Sequence, residues 1–92
     1  MANSETTVAN RKIIDDILKR DMRFRYMFLS RLQSDCEYYI NYGCRSPRCL
    51  WAGKEKLQIE LMTAVYNSFP ETEKPEWLTV DKIMTYSIML NQ

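Results

Sequence analysis

The segment RFRYMFLSRLQSDCEYYI, residues 23–40, restricts the fold more than any other stretch of the chain. It puts Phe24, Met27, Phe28, Leu32, Cys36, Tyr39 and Ile40 on one stripe at helical spacing. A helix of this length has an apolar face to bury, and a chain of 92 residues has room for only one core. The flanking segments are helical as well. From about Val8, VANRKIIDDILKRD spaces Ile13, Ile14, Ile17 and Leu18 for a first helix, with Lys19 and Arg20 near a C-terminus that favours cations.

Residues 54–69, KEKLQIELMTAVYNSF, carry Leu57, Leu61, Ala64 and Val65 on one face and Ile59, Met62, Tyr66 and Phe69 on a second. A helix wetted on so little of its surface belongs at the centre. Pro70 and Pro75 bracket a connector, PETEKPEW, and Trp77 is placed to act as a hydrophobic staple for the last helix. Thr79 caps that helix, which bears Ile83, Met84, Ile88 and Leu90, with Asp81 in its first turn. No strand alternation competes, and no segment repeats. The expected fold is all-α: one domain over 1–92, a small bundle of three to four helices, frayed over 1–7. Asn41 and Gly43 supply residues that commonly close a helix, and Gly43, Ser46, Pro47 and Gly53 define an ordered Cys/Arg-containing loop, 43–53, between helices two and three.

Charge narrows the partners. Residues 1–50 hold nine Lys/Arg against six Asp/Glu, and residues 51–92 hold four against six. An excess of three in the first half reads as a solvated face before it reads as a nucleic-acid footprint. No stretch approaches the roughly twenty apolar residues that span a bilayer. The N-terminus MANSETTVANRK is polar and lacks an apolar signal core. These features lead to the expectation of a cytosolic protein with no membrane partner, its cysteines kept as thiols or thiolates before disulfides.

Catalytic chemistry is not expected. The chain has no histidine, the commonest general base and zinc ligand. It lacks a Gly-rich phosphate loop, a nucleophile elbow and paired carboxylates, and Asp15–Asp16 falls opposite the apolar face of the first helix. The cysteines are the exception to this blandness. Cys36 lies on the apolar stripe, where a free cysteine acts as a small hydrophobe. Cys44 and Cys49 flank RSPR, a spacing at the upper limit of zinc-binding pairs. A structural zinc on Cys36, Cys44 and Cys49, with Asp35, water or another chain as fourth ligand, stands beside ordinary thiols, with a Cys44–Cys49 disulfide behind both. Arg45 and Arg48 share the loop with neighbours Tyr42 and Trp51, a combination that stacks on bases or anchors a protein interface. The plainer expectation is that Trp51 plugs the core beneath the loop while the arginines stay solvated.

Four blocks in register, RLQSDCEYY (31–39), LWAGKEKLQIELM (50–62), YNSFP (66–70) and KPEWLT (74–79), resemble a small domain associated with large polyvalent proteins. The resemblance spans roughly residues 24–90 and leaves the first helix outside. It implies a protein of phages or conjugative elements working in a bacterial cytosol, and brings no firm biochemical activity with it. Small non-enzymatic proteins of such elements often act by occupying a host machine. The function expected is therefore inhibition of a host defence complex, an anti-CRISPR action on a Cas nuclease such as Cas9, by a monomer or homodimer. Arg23, Arg25, Arg31, Tyr42, Arg45 and Arg48 are the candidate contacts. The alternative is a small, zinc-stabilised nucleic-acid-binding accessory of phage or plasmid DNA processing.

Overall fold

The structure, a computed structural model, describes residues 8–42 and 45–91. The frayed segment expected over 1–7, and Gly43 as a helix-closing residue, lie outside the described residues. Among the described residues four helices succeed one another: α1 (Val8–Leu18), α2 (Met22–Asn41), α3 (Glu55–Asn67) and α4 (Val80–Leu90). Short 3₁₀ turns occupy Pro47–Cys49 and Glu71–Glu73. The fold is the all-α bundle anticipated.

Local chemistry sets the boundaries. Asp21 adopts an extended backbone and its carboxylate accepts the Phe24 N–H at 2.8 Å, so α2 starts immediately after a cap. Thr79 does the same for α4, its hydroxyl oxygen accepting the Lys82 N–H at 3.1 Å. Replacing Thr79 with alanine should cost about 1 kcal/mol in a chemical denaturation experiment, with serine restoring most of it. Leu78 and Ile83, both buried, hold the two positions of a hydrophobic staple around this cap. Trp77, expected in that role, instead turns its ring edge-on to Tyr26 at 5.4 Å and donates its indole N–H to the Tyr26 hydroxyl at 2.9 Å.

Helix α3 is central, packing against α1, α2 and α4 and burying Leu57, Gln58, Leu61, Met62, Val65 and Tyr66. Helix α2 contributes Phe28, Leu29, Leu32, Cys36 and Tyr39, and α4 contributes Ile83, Tyr86 and Leu90. Tyr86 ties α4 to α2, donating to Glu37 at 2.8 Å and accepting from Gln33 at 3.2 Å. Asp15 and Asp16 are exposed, as their position opposite the core predicts.

Four expected core residues are outside it. Met27 is 63% exposed because the buried side of α2 is centred on Leu29, Leu32 and Cys36, and Met27 points nearly the opposite way. Met84 and Ile88 are 58% and 62% exposed, since α4 faces inward through Ile83, Tyr86 and Leu90. Trp51 does not plug the core either. Leu50 does so, at 4% exposure, while Trp51 lies at 43% on the outside of α2.

Candidate functional site

The chain leaving α2 folds back along that helix, and three side chains fix it there. The Asp35 carboxylate accepts the Trp51 N–H at 2.8 Å through one oxygen and the Arg31 Nε–H at 3.1 Å through the other. Gln58, fully buried, accepts the Ala52 N–H at 3.0 Å and donates to the Leu32 carbonyl at 3.2 Å. Arg45, at φ 46°, donates to the Met89 carbonyl at 3.1 Å, joining the loop to the end of α4. A 3₁₀ turn opened by Ser46, whose hydroxyl accepts the Arg48 N–H at 3.3 Å, carries the chain between these anchors.

This arrangement builds a groove. The Trp51 and Phe28 rings meet edge-to-face at 4.8 Å, leaving an open recess of about 340 Å³ lined by Phe24, Met27, Phe28, Arg31 and Trp51. The Arg20 guanidinium lies 3.7 Å from the centre of the Phe24 ring, within cation–π range. Arg23, exposed, sits one helical turn before Met27. Two turns beyond the groove, Tyr38 and Tyr42 stack at 5.4 Å while 53% and 75% exposed. Phe24, Phe28, Arg31, Asp35, Tyr38 and Tyr42 succeed one another at alternating four- and three-residue steps, so they share one side of α2. The loop covers the middle of that side and leaves both ends open.

The six expected contact residues therefore divide. Arg31 and Tyr42 belong to this face, and Arg23 and Arg48 are exposed. Arg25 is a clasp on the other side: it donates to the Arg20 carbonyl at 3.0 Å and to the Ser68 hydroxyl at 2.6 Å, beside the Phe69 ring. Arg45 is exposed, with one guanidinium N–H donated to the Met89 carbonyl. Trp51 with Phe24, Met27 and Phe28, and the anchors Asp35 and Gln58, were not among the expected site residues. The alternating spacing on α2 was the legible signal for most of this face.

The cysteines are not gathered. Cys36 is a fully buried free thiol that donates to the Met62 sulfur at 3.5 Å. Burial, reinforced by the nearby Asp35 charge, pushes its pKa from 9.0 up to about 12. Cys49 is disulfide-bonded, against the expectation of thiols, and Cys44 lies outside the described residues. As placed, neither described sulfur offers a thiolate to zinc, and among the described residues no three His, Cys, Asp or Glu side chains are gathered to hold a metal. Alkylation of the native protein at pH 8 should leave Cys36 unmodified, with labelling appearing only on unfolding; peptide mapping reads both states.

Among the described residues, no helix is long and apolar enough to cross a membrane. A family model, large polyvalent protein-associated domain 11, matches residues 22–90. The match begins at the first residue of α2 and ends at the last of α4, so α1 lies outside it. No curated protein and no solved structure matches the chain.

Proposed function

The chain belongs to the family of large polyvalent protein-associated domain 11, and from that premise we propose that it is a non-enzymatic, protein-binding product of a phage or conjugative element. Its proposed target is a host Cas nuclease such as Cas9, blocked by occupation in the bacterial cytosol. The observation that carries protein binding is the open face of α2. Exposed aromatic and methionine side chains with arginine at the margin are the composition enriched in protein interfaces. The choice of target rests on the mobile-element setting that family membership suggests. Non-enzymatic action is supported by the lack of histidine and by a Cys36 thiol held protonated in the core, where it is no nucleophile. A structural zinc forms no part of this reading.

Adding the purified chain to guide-loaded Cas nucleases of candidate hosts should abolish target cleavage for at least one of them. Undiminished cleavage by every effector of its host would count against the target. Nucleic-acid binding is the second reading, favoured by the exposed Tyr38–Tyr42 stack together with Arg23 and Arg48. It requires a gel shift at low salt that weakens steeply as salt rises.

A further inference from the structure

We propose that the groove walled by Trp51 takes an acidic peptide segment anchored by one large apolar side chain. The inference rests on the protein-binding reading above and narrows its partner. The floor supplied by Phe24, Met27 and Phe28 is hydrocarbon, thioether and aromatic ring, with no donor or acceptor to read a base edge. An apolar side chain is what such a floor rewards, and the unbranched Met27, 63% exposed, can adjust to its shape.

The rim selects the sign of the flanking charges. Arg31 lines the groove with 60% of its side chain exposed. Arg20 lies over Phe24, and Arg23 stands exposed one turn from Met27. The two neighbouring carboxylates are turned to partners within the fold, one of them Arg31 itself. Asp21 caps α2 by accepting the Phe24 N–H, and Asp35, whose side chain is only 12% exposed, holds Arg31 and the Trp51 backbone. Three arginines against two carboxylates thus leave a net positive rim around an apolar recess, and carboxylates flanking the anchor complement it. Charge complementarity of this kind sets selectivity and capture rate, while the buried anchor sets residence.

The test uses the full chain and three short synthetic peptides: a central leucine flanked by glutamates, the same leucine flanked by lysines, and glutamates without leucine. Calorimetric titration should show saturable binding of the first, with the other two weaker by about tenfold or more. Met27→Glu should lower affinity for the first peptide by a similar factor, while Met84→Glu, on the exposed side of α4, should leave it unchanged. Trp51 emission in a Trp77→Phe background should shift on titration, placing the peptide in the groove. Absence of saturable binding to the glutamate–leucine peptide up to about 1 mM overturns the proposal. So does equal affinity for the lysine peptide, or indifference to Met27→Glu. No Cas nuclease enters this titration, so its failure is distinct from failure of the nuclease to be inhibited.

Discussion

Between pH 9 and pH 12 the protein should lose stability progressively, by several kcal/mol, and unfold within that window. Three groups drive the loss in the same direction. Burial lifts the Cys36 thiol from 9.0 to about 12. Burial and the hydrogen bond to Glu37 lift Tyr86 from 10.0 to about 12, and the hydrogen bond to Glu55 raises Tyr39. A folded pKa above the unfolded one means that the native state keeps a proton the unfolded chain has released. Their contribution is intact below pH 9 and is lost as pH climbs towards 12. One pKa unit corresponds to about 1.4 kcal/mol, so fully buried Cys36 alone accounts for about 4 kcal/mol, a large part of what a domain this size possesses. Urea midpoints measured from pH 7 to pH 11 should be level at first and then fall. Cys36→Ala should delay the onset from about pH 9 to about pH 10, where the tyrosines begin. Constant midpoints from pH 8 to pH 11 would show that these groups are not held as described.

Replacing Gln58 with leucine should destabilise the protein by about 2 kcal/mol, although it makes a fully buried position more apolar. The amide is a joint. Its oxygen satisfies the Ala52 N–H and its NH₂ reaches the Leu32 carbonyl, so one side chain of α3 holds both the loop and α2. The Leu32 carbonyl already lies within α2, so the loss falls chiefly on Ala52, whose N–H would remain half-buried without an acceptor. Because Ala52 adjoins Trp51, the variant should also loosen the groove wall and increase quenching of Trp51 by acrylamide. Gln58→Glu should retain the acceptor for Ala52 but place a charge in the core, and should be no more stable than the leucine variant. A Gln58→Leu variant as stable as the parent would remove Gln58 from this role.

Helix order and approximate ends were legible because periodicity and caps are local properties, while the number stayed open between three and four. The spacing in 23–40 and the Thr79–Asp81 start needed no knowledge of neighbours, and the two apolar stripes of 54–69 sufficed to place α3 at the centre. Direction was less legible. Periodicity states which residues share a side, but α2 has apolar residues on more than one side, and only packing decides that Leu29 turns in while Met27 turns out. Met84 and Ile88 were misplaced for the same reason. The candidate face was hidden twice over: Trp51 enters it from a loop without periodicity, and its anchors are Asp35 and Gln58, polar residues buried for what they hold. For Arg25 and Arg45 the sequence shows a charge without the groups it meets, here Ser68 beside the half-buried Arg25 and the Met89 carbonyl beside Arg45, which stays exposed.

That this protein acts by binding another protein through the α2 face is tested most directly by capture. The intact chain, immobilised beside its Met27→Glu variant, is exposed at moderate salt to lysate of a host expressing its CRISPR effectors, and the retained material is identified. A Cas nuclease should stay on the parent chain and be depleted on the variant, with nucleic acid absent after nuclease treatment. Recovery of nucleic acid alone, washed away as salt rises, would contradict protein binding through this face, as would equal retention of the nuclease by both.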